Sequence, residues 1–270
     1  MQVSCEDQGG PVWRVALEPD SAQDGAEDVT VTVGGMEQLE AILEAAEASD
    51  ACRVIVLDGR PGCFCRGMDL QDATTITAAE RSRGSRLFAE CLCRLRGARQ
   101  LVVAAVDGDA VAGGLGLAAA ADVVIATDRS AFGLPELMLG LLPAMVLPLL
   151  RERMGAHQAR RLALGATSIP AEHAQALGLV DERCADAAAL DKKVRAVVKT
   201  ALRLQPDAVA ELKRFTADIA SMDHRDAIHA GRAVTDERLA RPETMAAIQG
   251  FLAGDPVPWL DRYRPGKPQS

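Results

Sequence analysis

The feature that most constrains the fold is an alternation of short valine- and isoleucine-rich runs with helical patterns along the first 200 residues or so. Apolar residues at helical spacing predict helices over 35–48 and 82–96. The intervening runs are almost continuously apolar, which is typical of parallel strands covered on both faces. Such strands are predicted over residues 12–17, 53–58, 101–106 and 122–126. The sequence therefore predicts an α/β core.

The strand signal stops at about residue 186, and only helical patterns follow. Helices are predicted over 186–204, 206–220 and 224–252, and a shorter one lies between Pro170 and Gly178. We therefore expect an α/β core over residues 1–200 and a helical region over 201–270. No internal repeat is visible in the sequence.

Composition excludes several classes of protein. Of the 270 residues, 49% are hydrophobic and 25% are charged, which excludes a disordered or fibrous chain. A net charge of −8 and only 3% aromatic residues argue against a general nucleic-acid binder. The longest apolar stretch, 137–150, has 14 residues and contains two prolines, so no membrane span is predicted.

The cysteines and histidines do not predict a metal site. Cys63 and Cys65 are separated by one residue, as are Cys91 and Cys93, whereas zinc ligands are usually spaced more widely. The four histidines are scattered. We interpret the seven cysteines as free thiols packed as small apolar groups. With an N-terminus that lacks a basic and apolar leader, they predict a cytoplasmic protein.

Two glycine-containing segments follow predicted strands, over 62–70 and 106–117. Glycines at such places often form ordinary turns. In the second segment, however, Gly113 and Gly114 come directly before a helix of small residues. The first turn of a helix has free N–H groups and the positive end of the helix dipole, and such donors can stabilise an oxyanion.

A third segment, 131–143, contains a single acid, Glu136, among apolar residues. Apolar surroundings raise the pKa of a carboxyl, which suits it to proton transfer near neutral pH. The alternative is a surface glutamate that begins a helix after Pro135.

Together these segments resemble the enoyl-CoA hydratase/isomerase (crotonase) superfamily. The chain contains the F-C-x-G-x-D pattern at 64–69, V-x-G-x-A-x-x-G-G at 106–114, A-D-V-x-I-A at 121–126, P-E-x-x-x-G-L-x-P at 135–143, and G-L-V-D at 178–181. The resemblance covers about residues 50–185 well. It implies a crotonase fold, which is a superhelical core of repeated ββα units with a helical C-terminal trimerisation region.

The resemblance also implies site residues. In this family two backbone N–H groups stabilise a thioester enolate, and by position they belong here to Met68 and Gly113. Glu136 corresponds to a catalytic glutamate. The implied substrate-binding residues are Arg66, Gly67, Asp69, Gly114 and Gly116, with Asp69 shaping the loop. The family needs no metal or other cofactor, because the substrate is carried as a phosphopantetheine or CoA thioester.

The chain departs from the family pattern at two places. Hydratases of the family carry a second glutamate three residues after the second donor, where this chain has Gly116. The glycine either makes room for a branched substrate or packs its helix against a neighbour. The family's usual N-A-L-[NS] turn is also missing, and residues 24–33 stand in its place.

Residues 136–148 resemble the E-L-L-x-G-L-x-P-A-x-V-L-P stretch of dehydratases in polyketide β-branching cassettes. This resemblance implies dehydration of a 3-hydroxy-3-methylglutaryl thioester to a 3-methylglutaconyl thioester on an acyl carrier protein. An isomerase or hydratase acting on acyl-CoA, and a catalytically silent binding subunit of the same fold, are the alternatives.

The expected partners are an acyl carrier protein or acyl-CoA, and further copies of the chain in a homotrimer or hexamer. Six arginines and one glutamate between residues 81 and 99 predict a basic surface that attracts an acidic carrier. A solvated helix face, or contacts with the phosphates of CoA, would explain the same charges. Apolar residues on the C-terminal helices, such as Ile228, Phe251 and Leu252, predict a surface for other copies.

Overall fold

The computed structural model describes residues 1–6, 8–20 and 28–260, with the side chains of 71–73 left out. The strands are β1 (Gln2–Glu6), β2 (Val12–Glu18), β3 (Val54–Gly59), β4 (Gly62–Cys65), β5 (Leu101–Val106), β6 (Gly108–Val111), β7 (Val123–Thr127), β8 (Ala131–Gly133), β9 (Ser168–Pro170) and β10 (Glu182–Cys184).

The α-helices are α1 (Val33–Ala48), α2 (Leu70–Thr75), α3 (Ala78–Gly97), α4 (Gly113–Ala120), α5 (Leu147–Gly165), α6 (Ala171–Ala176), α7 (Ala187–Ala201), α8 (Pro206–Asp218), α9 (His224–Ala240) and α10 (Pro242–Ala253). Two short 3-10 helices cover Glu136–Leu139 and Ile219–Ser221.

The strands form two sheets. The first has the order β1-β2-β3-β5-β7-β10, and all its neighbours are parallel except β1 and β2. The second has the order β4-β6-β8-β9, in which β4, β6 and β8 are parallel. Three times in succession the chain adds one strand to the first sheet, one strand to the second, and then a helix. The predicted α/β crotonase fold is confirmed, and its ββα repetition exists without any visible repeat in the sequence.

The central strands of the first sheet are buried on both faces, as their continuous apolar runs predict. Ile55 and Leu57 of β3 pack into a cluster with α1 and α3, whereas Val54 and Val56 pack into a second cluster with α7. The four strands predicted from sequence are β2, β3, β5 and β7, with ends that differ by at most one residue. Helix α3 begins earlier than predicted, because Thr77 and Glu80 form a capping box at its N-terminus.

The prediction of one helix over 224–252 is wrong. The structure has two helices there, α9 and α10, with Arg241 between them. Pro242 explains the break, because proline has no N–H to continue the first helix but fits the first turn of the second. The division of the chain at residue 200 stays a prediction.

Five of the seven cysteines are buried, as expected for small apolar groups, while Cys5 is half-buried and Cys93 is exposed. All seven are free thiols, and the cytoplasmic location inferred from them stays a prediction. Over the described ranges, no helix combines the length and the hydrophobicity that crossing a bilayer requires.

Candidate active site

Three neighbouring parallel strands of the second sheet end beside one another, and each leads into one of the predicted catalytic residues. Met68 follows β4, Gly113 follows β6 and Glu136 follows β8. The register places Ala110 of β6 beside both Cys65 of β4 and Phe132 of β8. Ligands of parallel sheets bind beyond the carboxyl ends of the strands, and this edge has that geometry.

The loops after β4 and β6 are in direct contact. Gly67 has a φ of +80°, and a Cβ on it would lie 2.8 Å from the Gly113 nitrogen, so only glycine fits there. The loop after β4 is held from its other side, because the N–H of Val31 donates to the Gly67 carbonyl over 2.7 Å. The structure thus brings Gly67, which precedes Met68, into contact with Gly113.

Helix α4 begins pressed against β4. A Cβ on Gly114 would lie 1.9 Å from the Cys65 carbonyl oxygen, so a side chain at this position is sterically excluded. Gly113 is the first residue of α4, and its N–H therefore has no acceptor within the helix. Within the described ranges, neither this N–H nor that of Met68 donates to a protein acceptor. The N–H groups of Met68 and Gly113 are thus unsatisfied donors on two loops that contact each other.

Glu136 begins the 3-10 helix that follows β8, directly after Pro135. Its Oε2 atom is buried and has no hydrogen-bond partner. Burial raises the pKa of the Glu136 carboxyl above its usual range, and a hydrogen bond from its own backbone N–H opposes this only in part. The residue is therefore both a helix-start glutamate and a desolvated carboxyl, which suits proton transfer near neutral pH.

Apolar side chains dominate the exposed surface of the loops that carry Met68 and Glu136. The exposed ones are Met68, Leu70, Met138, Leu139, Leu141, Leu142 and Met145. Single exposed apolar residues are common, but a group on the loops around one carboxyl is the kind of surface that marks a ligand-binding or contact site.

Gly116 does not leave open space. A Cβ on it would lie 2.9 Å from the Cγ2 methyl of Val146 and 3.4 Å from the ring of Phe88. Val146 and Phe88 are themselves buried. The expectation that Gly116 makes room for a substrate branch is therefore wrong, because the protein itself fills that volume. The alternative, in which Gly116 packs its helix against a neighbour, agrees with these contacts.

Arg66 is half exposed and lies between two acids. It forms ion pairs with Asp28 at 3.1 Å and with Asp109 at 2.8 Å, so its charge is already balanced. Asp69, two residues after Gly67, is half-buried.

The turn that replaces the family's N-terminal motif, residues 24–33, lies partly outside the described residues. Its described part, 28–33, contacts the loop after β4 through Val29 and Val31.

The prediction of a basic surface over 81–99 is wrong, because ion pairs balance the charge of most of its arginines. Helix α3 packs beside α1, and carboxylates neutralise four of the arginines: Arg83 pairs with Glu37, Arg94 with Glu44, Glu47 and Glu90, Arg96 with Glu152 and Asp122, and Arg99 with Asp50. Arg86 is exposed, and in the described part of the chain it has no ion pair. The sequence could not show this, because all of these acids except Glu90 come from outside the segment.

A buried polar cluster supports the bend between the two sheets, and sequence reasoning missed it. Asp107 accepts hydrogen bonds from Arg129 and from Thr127 Oγ1, and the N–H of Gly108 donates to Ser130 Oγ over 3.0 Å. Burial alone would favour the neutral acid, but the bonds from Arg129 and Thr127 hold the pKa of Asp107 below its usual range. The cluster holds β6, and with it Gly113, in register with β8.

The comparisons with known proteins agree with this geometry. The family model described as "Enoyl-CoA hydratase/isomerase" matches residues 30–262. The chain is 29% identical over 231 residues to the bacillaene synthase dehydratase PksH of Bacillus subtilis (strain 168), covering 84% of this chain and 86% of that one. It is 34% identical over 179 residues to a putative enoyl-CoA hydratase of Thermus thermophilus, covering 63% of this chain and 71% of that protein.

Solved structures share the fold over almost the whole chain. Pseudomonas aeruginosa AtuE superposes with a TM-score of 0.87 at 31% identity, over 97% of this chain and all of that one. A family model spanning most of the chain, a relative above 30% identity over nearly its full length and the site geometry all point to one family. The chain belongs to the enoyl-CoA hydratase/isomerase family, and it is an enzyme of the hydratase and dehydratase type.

Proposed function

We propose that this enzyme dehydrates a 3-hydroxyacyl thioester, with 3-hydroxy-3-methylglutaryl-acyl carrier protein as substrate and 3-methylglutaconyl-acyl carrier protein as product. The observation that carries the proposal is the unpartnered, buried Oε2 of Glu136 at the sheet edge that also bears two unsatisfied N–H donors. Similarity to a dehydratase named for bacillaene synthase over 84% of the chain supports the substrate class.

The thioester carbonyl oxygen accepts hydrogen bonds from the N–H groups of Met68 and Gly113. Charge develops on this oxygen as the α-proton leaves, and both donors are in place before it does. Removing one such donor typically lowers kcat by ~10²–10³-fold, so the pair provides a large electrostatic contribution. The N-terminal end of the α4 dipole adds to it.

Glu136 takes the proton from the α-carbon, and the electron pair of that C–H bond passes into the enolate. Collapse of the enolate forms the α,β double bond and breaks the bond from the β-carbon to its hydroxyl. The same carboxyl returns its proton to the leaving hydroxyl, which departs as water. Because this chain has Gly116 where hydratases carry a second glutamate, one carboxyl serves both steps, and proton and hydroxyl leave from one face. A tertiary β-carbon tolerates the positive character that this requires.

The other predicted site residues act through shape in this proposal. Gly67 and Gly114 allow the two loops to touch, and Arg66 and Asp69 fix the loop that presents Met68. Gly116 takes no part in substrate contact, since Val146 and Phe88 cover it. The proposed dehydration requires two backbone N–H donors and one carboxyl, with the acyl group carried on phosphopantetheine or CoA.

We also propose a homotrimer or hexamer. The helices α9 and α10 expose large apolar side chains on the single chain, namely Ile228, Leu239, Met245, Ile248, Phe251 and Leu252. Burying them against another copy would remove this apolar area from water. Light scattering at micromolar concentration tests the assembly, and a monomer would contradict it.

Mass spectrometry of the carrier-bound substrate tests the reaction. Loss of one water with the wild-type protein, and none with Glu136→Gln, is the expected result. Conversion of a 3-enoyl thioester without any dehydration would instead identify an isomerase. If the wild type is no more active than Glu136→Gln on every acyl thioester, the chain is a binding subunit and the proposal fails.

A further inference from the structure

Ala112, the residue before Gly113, has a backbone conformation that L residues rarely adopt. Its φ is +52° and its ψ is −121°, a region that glycine enters freely and alanine enters only with strain. Over the described ranges, one other non-glycine residue has a positive φ, Ala166 at the C-cap of α5. Strained residues persist where the surrounding structure holds them, and they cluster at functional sites.

The backbone of Ala112 is held on both sides. Its N–H donates to the Gly133 carbonyl at the end of β8 over 2.9 Å, and its carbonyl accepts from the N–H of Gly116 over 3.2 Å. The ψ angle of residue 112 turns the peptide plane that contains the Gly113 N–H. The strained conformation of Ala112 therefore sets the direction of that donor.

The methyl group of Ala112 is also one of the contacts between the two donor loops. A Cβ built on Gly67 would lie 2.7 Å from the Ala112 Cβ, so this methyl packs directly against the Gly67 backbone. Met68 is the next residue after Gly67. The methyl thus lies between the loop that carries the Met68 N–H and the loop that carries the Gly113 N–H, and it limits how closely they approach at this point.

We infer that Ala112 is a positioning residue whose methyl group and strained backbone set the separation and direction of the Met68 and Gly113 N–H groups. This inference rests on the proposed function, in which both donors bind one thioester oxygen. Two donors serve one oxygen only if both reach it at about 2.7–3.1 Å. A glycine at position 112 would relieve the strain, but it would remove the spacer and free the peptide plane of Gly113.

Ala112→Gly tests the inference, with Ala166→Gly as the matched control. Both substitutions remove a methyl from an alanine with positive φ, and we expect both variants to keep or raise the melting temperature. Ala112→Gly should lower kcat by roughly 10- to 100-fold, because a misplaced group can slow a reaction by about that factor. Its KM should change by less than about threefold, and Ala166→Gly should match the wild type.

A second measurement does not depend on turnover. A butyryl thioester with a ¹³C carbonyl has no β-hydroxyl to lose, and donors that polarise it lower its carbonyl stretching frequency in the infrared. We expect a clear lowering with the wild-type protein and with Ala166→Gly, and a smaller one with Ala112→Gly. A merely structural role of Ala112 would leave this frequency unchanged.

The outcomes separate the inference from the proposed function. Wild-type kcat and carbonyl frequency in Ala112→Gly would overturn the inference and leave the dehydratase proposal intact. No dehydration by the wild type would overturn the proposed reaction, while the infrared comparison would still test Ala112. A carbonyl frequency that the wild-type protein does not lower would overturn the inference as well.

Discussion

The Cγ2 methyl of Val146 lies 2.9 Å from the point where a Cβ on Gly116 would stand, so these two residues share one methyl-sized volume. Gly116 lies on α4 and Val146 is the residue before α5. Through this contact, α5 packs against α4, the helix whose N-terminus carries the Gly113 N–H.

Gly116→Ala should destabilise the protein although alanine favours helices. Overpacking in a filled core typically costs about 1–3 kcal/mol, whereas the gain in helix propensity is at most ~1 kcal/mol. Val146→Ala should also destabilise, and the double variant should lose less than the sum of both, because the new methyl enters the vacated volume. Unfolding in urea measures all three.

Gly34→Ala is the control for this experiment. Gly34 is exposed in α1, and nothing lies within 4 Å of its ideal Cβ, so the substitution should be neutral or stabilising. Additive losses in the double variant would contradict the shared volume.

Glu136→Gln should lower the rate of dehydration by ~10²–10⁴-fold, the usual contribution of a general acid–base group. The change is nearly isosteric, so the melting temperature and the binding of an acyl thioester should not change. Single-turnover kinetics with the carrier-bound substrate measure the loss. A variant that keeps more than about a tenth of the wild-type rate would refute the role of Glu136.

The pH profile of kcat/KM reports the ionisation of Glu136 in the free enzyme. The carboxyl must be ionised to take a proton, so activity should rise as pH rises through its pKa and be lost below it. Because burial raises the pKa of Glu136, the acid limb should lie above the usual glutamate value of about 4.3. A midpoint at or below that value would show that Glu136 is not desolvated or is not the base.

Arg86 is exposed and has no ion pair among the described residues, so it is the residue with which to test the proposal that a carrier protein docks at α3. If the carrier docks there, Arg86→Glu should raise KM for a carrier-protein thioester by roughly three- to tenfold and hardly affect a short pantetheine thioester, since a surface charge steers the encounter with an acidic partner. Arg83→Glu should have the smaller effect, because Glu37 already balances Arg83. Added salt should reduce the difference, as exposed charges are screened beyond ~10 Å at 0.1 M. Equal losses on both substrates would rule out carrier docking at this helix.

Lys213→Met should destabilise the protein by about 3 kcal/mol, because it removes the close cation from the buried Asp122 carboxylate, whose remaining ion pair is with Arg96 at 3.9 Å. Lys213 on α8 donates to Asp122 over 2.7 Å and to the Gln100 carbonyl over 3.0 Å, and the two side chains are only 10% and 15% exposed. Adding Asp122→Asn should recover much of the loss in guanidinium unfolding.

The exposed pair of Arg232 and Asp236 is the comparison for Lys213. Its side chains are 70% and 61% exposed, so Arg232→Met should change stability by less than about 1 kcal/mol. A similar small effect for Lys213→Met would mean that α8 does not depend on its buried ion pair.

The sequence predicted the four central strands of the first sheet and missed its two edge strands, β1 and β10, and all strands of the second sheet. Strands β3 and β5 have six residues each and are buried on both faces, so their apolar runs stand out. Strands β4 and β6 have four residues each and include glycines that let the chain bend between the sheets. So short a segment has no periodicity to detect, and both were interpreted as glycine loops.

Local chemistry was enough to find the family motifs, the glycines of the two loops and the single acid Glu136, because each is a property of a few adjacent residues. The tertiary structure decided what their surroundings are. It brought Gly67 and Gly113 into contact from positions 46 residues apart in the chain, filled the space beside Gly116 with Val146, and paired the arginines of α3 with acids of other helices. Contacts between distant segments depend on how sheets and helices pack together, and no local pattern records them.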